Sequence, residues 1–196
     1  MENDSICRCK WVKMKNPTYI KYHDEEWGVP VKDDRQMFEF LTLESFQAGL
    51  SWETILNKRE NFRNAFDNFD VEKIAAYSEE KLQSLVEDKG IIRNKLKIAA
   101  AVNNAKRFIE IKEKHASFCD YFWQFSDGKS IINKWADNSS VPASTPLSDK
   151  ISKELKKQGF KFMGTTVVYA HMQAVGMVND HTTDCFRYHE IIQTYS

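Results

Sequence analysis

The chain has 196 residues, of which 42% are apolar, and its 28 basic and 28 acidic residues cancel. This length and apolar content allow a sizeable core in one domain or in two closely packed lobes. The zero net charge argues against a protein that coats nucleic acid by charge alone, so any DNA contact needs a local basic patch. We find no signal peptide and no apolar run of about 18 residues, and therefore expect a cytoplasmic protein with no membrane partner.

The composition is typical of a mostly helical protein. Only seven glycines and four prolines interrupt long stretches rich in Leu, Ile, Ala, Lys and Glu, which are strong helix formers. The cysteines are too few for a secreted disulfide scaffold, and metal ligation is the use that a reducing compartment favours. They are Cys7, Cys9, Cys119 and Cys185.

Aromatic residues are concentrated near the amino terminus. The run YIKYHDEEWGVP at positions 19–30 contains Tyr19, Tyr22, His23 and Trp27, and it lacks helical periodicity. The sequence therefore predicts a packed loop. Such a loop serves either as a hydrophobic clasp over the core or as the wall of a pocket, and the pattern leaves both interpretations open.

The first clear helical pattern begins at Asp33 or Asp34, either of which can cap it, and ends at about Gly49. Glu44 lies in its apolar stripe, one turn after Leu41. A carboxylate at such a position either meets a partner at the edge of the core or lies in a pocket where a ligand satisfies it. Both interpretations remain open at this point.

A series of helices follows. A new helix is predicted to begin after Ser51, which can cap it, with Trp52 in its first turn. The later helices are expected over 70–77, 78–86, 93–115, 118–125 and 146–159, with a mostly irregular surface segment over 126–145.

A helix–hairpin–helix pattern follows the irregular segment. Gly159 ends one helix, a short turn leads to Gly164, and Thr165 and Thr166 open an apolar helix. Backbone N–H groups at such a terminus can bind a phosphate oxygen, and Lys161 adds positive charge. An ordinary corner between two helices would leave the same pattern.

Two metal-ligand candidates lie near the carboxyl terminus. His181 and Cys185 are four residues apart, so on a helix they would share one face and could bind one ion. The other ligands have to come from elsewhere, and the amino-terminal segment offers Cys7, Cys9 and His23. Spacing does not choose between the two cysteines.

Five segments, taken together, resemble the 3-methyladenine DNA glycosylase I family of the helix-hairpin-helix superfamily. They are RCKWV, YIKYHDEEWGVP, LESFQAGLSW, GIIRNKLKI and GFKFMGTTVVYAHMQAVGMVNDH, followed by Cys185. The resemblance covers nearly the whole chain in order. It implies an all-α helix-hairpin-helix DNA glycosylase fold, with residues 1–196 forming a single compact helical domain of two intimate lobes.

The resemblance also implies a structural zinc site that joins the amino- and carboxyl-terminal segments. Its ligands, carried over by position, are Cys9, His23, His181 and Cys185, which selects Cys9 over Cys7. Two thiolates and two imidazoles form a closed tetrahedral set with no open position for chemistry.

The function implied by the resemblance is that of a monofunctional DNA glycosylase in base excision repair. It would act as a monomer on alkylated double-stranded DNA, flip out 3-methyladenine, hydrolyse its N-glycosidic bond and leave an abasic site. The family pattern makes Glu44 the main acidic group and a base-binding residue together with Tyr22, while Trp52 stacks on the base near Tyr19 and Trp27. The DNA-binding residues are Gly164, Thr165, Thr166 and Lys161.

Alternative functions are weighed from the residues themselves. Glycosylases that also cut the strand use a lysine, often just after the second hairpin glycine, where Thr165 stands here. Asn179 occupies the usual slot of a catalytic aspartate, so Asp180 is not assigned as a base. The chain lacks the clustered cysteines of an iron–sulfur enzyme. A non-catalytic DNA-binding module would leave Glu44 and the aromatic residues unexplained. Salt-sensitive binding to duplex DNA would argue against a zinc-stapled interaction protein with no nucleic-acid partner.

Overall fold

Helices form most of the chain, as its composition predicts. The computed structural model describes residues 6–195, so both ends of the predicted 1–196 domain, residues 1–5 and 196, lie outside the described residues. The helices are α1 (Pro17–Glu25), α2 (Asp34–Gln47), α3 (Trp52–Ala65), α4 (Val71–Ala75), α5 (Glu79–Glu87), α6 (Lys95–Lys114), α7 (Phe118–Trp123), α8 (Pro146–Lys157), α9 (Thr165–Ala174) and α10 (Phe186–Tyr195). From α4 to α8 they agree with the predicted ranges within two residues at each end.

One small feature departs from the all-α prediction. Strands β1 (Ile131–Ile132) and β2 (Val178–Asn179) pair in parallel, with Ile131 opposite Val178. Strands of two residues are too short to show the alternation that marks a strand in a sequence. The pairing ties the irregular segment before α8 to the chain that follows α9.

Helix α2 lies at the centre of the structure, in contact with α3, α6, α7 and α9. Every residue from Met37 to Phe46 is buried, so the helix is enclosed on all sides, whereas the sequence suggested a single apolar stripe. In the sequence, the charged residues of this helix suggest an exposed face, so its complete burial is not apparent. Glu39 is buried because it pairs with Arg59 at 2.7 Å and with Arg63 at 2.8 Å.

Helix α1 corrects the prediction of a packed loop over residues 19–30. The Asn16 side chain caps the helix by accepting hydrogen bonds from the backbone N–H groups of Thr18 and Tyr19, and Pro17 opens its first turn. Tyr22 and other aromatic residues on the helix obscure any clear division into apolar and polar faces. The helix nevertheless buries three side chains, namely Tyr19, Tyr22 and His23.

Helices α8 and α9 form the predicted helix–hairpin–helix. Thr145 and Ser148 form a capping box at the start of α8. The turn between the helices contains Gly159 at a φ of 89° and Phe162 at a φ of 56°. Gly164 is the N-cap residue of α9, and no side chain caps the first N–H groups of this helix.

Among residues 6–195, no helix combines the length and apolar character needed to cross a membrane.

Gly176 allows the chain after α9 to pass close to the segment that follows α1. Its φ is 72°, and a Cβ atom there would lie 2.5 Å from backbone atoms of Val29 and Pro30. We predict that Gly176→Ala lowers the free energy of unfolding by about 3 kcal/mol, because backbone strain and a backbone clash add. Gly128→Ala is the control, since Gly128 has a φ of 76° but no atom within 4 Å of its added Cβ.

Urea unfolding of both variants measures the difference. The control should lose only about 1 kcal/mol, the cost of a left-handed conformation alone. Equal losses in the two variants would contradict the close backbone approach at Gly176.

Candidate active site and metal centre

The structure brings the aromatic and acidic residues singled out in the sequence to one pocket of about 360 Å³. These residues are Tyr19, Tyr22, Trp27, Glu44 and Trp52. The other lining residues are Trp11, Gln47, Asn138, Val141, Pro142, Ala170, Gln173 and Asp180. The volume falls within the range of pockets that enclose small molecules.

Aromatic rings form much of the pocket wall. The ring centroids of Tyr22 and Trp52 are 5.3 Å apart, with their planes tilted by 52°. Trp11 makes edge contacts with Tyr19 at 5.6 Å and with Trp27 at 4.8 Å. Ring faces carry partial negative charge, so such a wall favours a flat cationic ligand over a neutral one.

Glu44 supplies an unsatisfied carboxyl group to this pocket. Glu44 is only 4% exposed. Within residues 6–195, its Oε2 atom has no hydrogen-bond partner. Burial raises the pKa of Glu44 to about 8, so the carboxyl group is largely protonated at neutral pH. The buried Nε1 atom of Trp52 also finds no acceptor among the described residues.

An ionic network lies behind the aromatic wall. Arg59 on α3 donates to Glu26, just after α1, at 2.7 Å and to Glu39 on α2 at 2.7 Å. The Arg59 guanidinium also lies 5.1 Å from the ring centroid of Phe40, which packs against Tyr22. Because Arg59 pairs with Glu26 and Glu39, and Arg63 also pairs with Glu39, the network joins α2, α3 and the end of α1 without leaving Arg59 unpaired beside the pocket.

Asp180 is a second carboxyl group in the pocket wall, and its surroundings differ from those of Glu44. One oxygen accepts hydrogen bonds from Asn133 and Trp135, and the other accepts from Tyr169 and Gln173. A carboxylate offers about four acceptor positions, and here four donors occupy them. Asp180 therefore joins the irregular segment to α9 and has no free acceptor for an attacking water.

Four buried side chains form a candidate metal centre. The potential ligand atoms of Cys9, His23, His181 and Cys185 all lie within 4.8 Å of one another. Cys9 Sγ is 3.5 Å from His181 Nδ1, and Cys185 Sγ is 3.5 Å from His23 Nε2. A tetrahedral zinc ion would separate a sulfur and a nitrogen ligand by about 3.5 Å, so the donor set fits such an ion in both chemistry and spacing.

The geometry of this cluster corrects one prediction. His181 and Cys185 do not share a helix, because both precede α10, which begins at Phe186. A turn between them, closed by a hydrogen bond from Cys185 N to Thr182 O, brings Cys185 Sγ to 3.4 Å from His181 Nδ1. The structure also separates the two amino-terminal candidates, since Cys9 is buried in the cluster and Cys7 is exposed.

The second ring nitrogen of each histidine has its own partner. His23 Nδ1 is 2.7 Å from Asp24, which Arg8 holds through three hydrogen bonds. His181 Nε2 lies 3.0 Å from the carbonyl oxygen of Trp27. Such outer contacts fix the orientation of a ligating ring. Through the contact between His181 and Trp27, the candidate metal centre adjoins the pocket wall.

The hairpin presents an open helix terminus. Gly164 caps α9 with no side-chain hydrogen bond, and an added Cβ there would meet no atom within 4 Å. Thr165 shares a hydrogen bond with Ser148 at 2.9 Å, which orients the first residue of α9 toward α8. Thr166 and the exposed Lys161 flank this terminus.

Some pocket residues carried no usable signal in the sequence. Asn138, Val141 and Pro142 lie in the irregular segment, where no periodic pattern points to a buried surface. Gln173 is one of several polar residues of α9, so its polarity alone did not distinguish it as a pocket residue.

Comparisons with known proteins identify the family. A family described as "Methyladenine glycosylase" matches residues 11–188. DNA-3-methyladenine glycosylase 1 of Escherichia coli (strain K12) is 48% identical over 181 residues, covering 92% of this chain and 96% of that protein.

Solved structures agree with this result. A crystal structure of 3-methyladenine DNA glycosylase I matches with a TM-score of 0.89 and 50% identity, covering 92% of this chain and 98% of that one. A variant of 3-methyladenine DNA glycosylase I in complex with 3-methyladenine matches with a TM-score of 0.86 and 34% identity, covering 88% and 92%. The chain therefore belongs to the methyladenine glycosylase family.

Proposed function

We propose that this chain is a monofunctional DNA-3-methyladenine glycosylase, which hydrolyses the N-glycosidic bond of 3-methyladenine flipped out of alkylated duplex DNA and leaves an abasic site. The observation that carries the proposal is the unpartnered carboxyl group of Glu44 inside an aromatic pocket. The relatives support it, since they are named DNA-3-methyladenine glycosylases and one was solved with 3-methyladenine bound. The enzyme would act as a monomer in the cytoplasm.

The chemistry of the lesion matches the pocket. An adenine methylated at its minor-groove nitrogen is cationic while attached to the sugar and leaves as a neutral base, so the leaving group needs little protonation. Trp52 and the other aromatic faces favour the cation before bond cleavage, while Glu44 and Tyr22 hydrogen-bond to the adenine edge. Ordinary adenine lacks the positive charge and gains less from both features.

The ionisation of Glu44 is coupled to this charge. In the free protein burial holds the pKa of Glu44 at about 8. A cationic base placed against the carboxyl group favours its ionised form. Binding of the cationic base therefore displaces the Glu44 proton to solvent, and the carboxylate and the base form a pair with no net charge.

The hairpin is proposed to hold the DNA backbone beside the lesion. The open terminus at Gly164, with the N–H groups and hydroxyls of Thr165 and Thr166, can bind a phosphate oxygen, and Lys161 adds positive charge. These contacts are independent of sequence, which suits an enzyme that searches DNA for a damaged base. Rotating the nucleotide out of the stack costs less where damage has weakened pairing.

The metal centre is proposed to be a structural zinc site formed by Cys9, His23, His181 and Cys185. Zinc supplies no chemistry to the reaction here, because four protein ligands leave it no open position. It would join the segment before α1 to the segment before α10. The site would thereby hold Trp27, whose carbonyl contacts His181, in the pocket wall.

Base release from methylated duplex DNA tests the proposed activity. We predict that the wild type releases free 3-methyladenine without strand cleavage, and that Glu44→Gln lowers kcat/KM by on the order of 10²-fold because it loses the carboxylate that faces the cationic base. Chromatography of the released bases measures both rates. Glu79→Gln, an exposed change on α5, should retain wild-type activity. Absence of base release by folded, metal-loaded wild type would instead favour a non-catalytic DNA-binding module.

The raised pKa of Glu44 predicts how stability depends on pH. Between pH 4.5 and about 8 the folded protein retains a proton on Glu44 that the unfolded chain releases. Raising the pH through this window therefore favours unfolding. The free energy of unfolding of Glu44→Gln, relative to that of the wild type, should rise by on the order of 4 kcal/mol between pH 4.5 and pH 9. Each pKa unit of difference between the folded and unfolded states contributes about 1.4 kcal/mol.

Urea unfolding at several pH values measures this difference in the free energy of unfolding, and Glu79→Gln again provides the control. The control should follow the wild type at every pH. A gap between Glu44→Gln and the wild type that stays constant with pH would contradict the buried, unpartnered state of Glu44.

Removal of a metal ligand should lower stability. We predict that Cys185→Ser abolishes zinc binding and lowers the melting temperature by about 5 °C or more, because metal binding contributes to folding. Cys7→Ser should change neither quantity, since Cys7 is exposed and outside the cluster. Metal analysis of the purified protein and thermal unfolding with and without a chelator give the two readouts. A Cys185→Ser protein with unchanged melting temperature and no metal in the wild type would contradict the zinc site.

A further inference from the structure

Two polar side chains on α6 face the interior of the protein, seven residues apart. They belong to Lys97, which is 6% exposed, and Asn104, which is 1% exposed. Seven residues are close to two helical turns, so both side chains lie on one face, separated by about 10 Å along the helix axis. Neither residue lines the pocket around Glu44.

Lys97 holds the turn between α2 and α3. Its Nζ donates hydrogen bonds to the carbonyl oxygens of Phe46 at 2.8 Å and Ala48 at 2.7 Å. These carbonyls belong to the last turn of α2, where a helix leaves acceptors unpaired and favours a positive charge. None of the ion pairs found within residues 6–195 includes Lys97, so the helix end is its partner.

This turn lies between two residues that are proposed to bind the base. Glu44 lies in the last turns of α2, and Trp52 is the first residue of α3. The connection from Ala48 to Ser51 leads from α2 to α3, and the two helices also pack directly through the Glu39–Arg59 ion pair. Within residues 6–195, the hydrogen bond from Lys97 Nζ to Ala48 O ties this connection to α6, while its other hydrogen bonds join it to the adjoining ends of α2 and α3.

Asn104 holds the hairpin in a comparable manner. Its Oδ1 accepts a hydrogen bond from Lys161 N at 2.8 Å, and its Nδ2 donates to Lys161 O at 3.0 Å. One amide side chain thus satisfies both backbone groups of a single hairpin residue. The neighbouring Asn103 donates to Gly159 O at 2.9 Å, so α6 contacts the turn at two points.

We propose that α6 is a frame that keeps the base pocket and the DNA-binding hairpin at a fixed separation, with Lys97 and Asn104 as its two positioning residues. This inference rests on the proposed function of the pocket and the hairpin. A flipped base remains joined to the DNA backbone, so its reach into the pocket depends on where the hairpin holds the phosphates. A rigid frame supplies that spacing before binding and reduces the ordering needed when DNA binds.

The experiment measures two affinities separately in the full chain. Titration with free 3-methyladenine reports on the pocket, and anisotropy with a short undamaged duplex at fixed salt reports on the hairpin. Lys97→Met, which keeps the aliphatic stem, should weaken base binding about tenfold and leave duplex binding unchanged. Lys97→Arg, which keeps the charge and donors, should recover most of the base affinity.

Asn104→Ala should show the opposite pattern. We expect duplex binding to weaken about tenfold while the affinity for free base stays at the wild-type value. Asn103→Ala, which removes one contact to the hairpin, should produce a smaller loss of the same kind. Thermal unfolding and metal content verify that each variant is folded.

The pattern of losses decides between the alternatives. Equal losses of both affinities in Lys97→Met and Asn104→Ala, or an unchanged base affinity in Lys97→Met, would overturn the frame. Glu44→Gln separates this result from the proposed function. If Glu44→Gln retained base affinity while Lys97→Met lost it, the role of Glu44 would be wrong and the frame would stand.

Discussion

The structure is organised around a carboxyl group that is buried without a partner. Glu44 lies on α2, the helix that the other helices enclose, and its Oε2 finds no donor among residues 6–195. Burying such a group costs free energy that the surrounding protein has to offset. The aromatic packing around Tyr22 and Trp52, and the ion pairs of Arg59 behind it, stabilise the position of the carboxyl group without satisfying it. The unsatisfied group is then available to a ligand.

The candidate metal centre and the pocket are in contact. His181 belongs to the four-residue cluster, and its second ring nitrogen contacts the carbonyl of Trp27. Trp27 lines the pocket and packs against Trp11. Segments from opposite ends of the chain therefore meet beside the pocket wall. A single ion binding to these four residues would stabilise both the closure of the fold and the shape of the pocket.

Much of this arrangement could be predicted from the sequence, for identifiable reasons. The long helix α6 and the hairpin before α9 follow from periodic apolar residues and from Gly159, signals that lie in neighbouring residues. Helix α1 was missed because aromatic side chains conceal its two faces. The choice of Cys9 over Cys7 depended on a family resemblance, since spacing alone does not show which thiol a distant turn will meet.

Contacts between distant parts of the chain account for the other gaps. The pairing of His181 and Cys185 was expected on a helix, but a turn brings them together, because two residues four apart can approach in either geometry. The burial of Glu39 depends on arginines of α3, which lie about 20 residues further along the chain. No local pattern contains that information.

The two carboxyl groups of the pocket show how surroundings assign different roles to the same chemistry. Asp180 accepts hydrogen bonds from four donors in the irregular segment and α9, so its carboxylate stabilises the pocket wall. Among the described residues, no donor reaches the Oε2 of Glu44, and burial raises the pKa of Glu44 to about 8. A neutral ligand gives little reason for that carboxyl group to release its proton, whereas a cationic base does. Selectivity for an alkylated base is therefore proposed to arise from the missing hydrogen-bond donor at one carboxyl group, while the hairpin is proposed to supply the affinity for DNA.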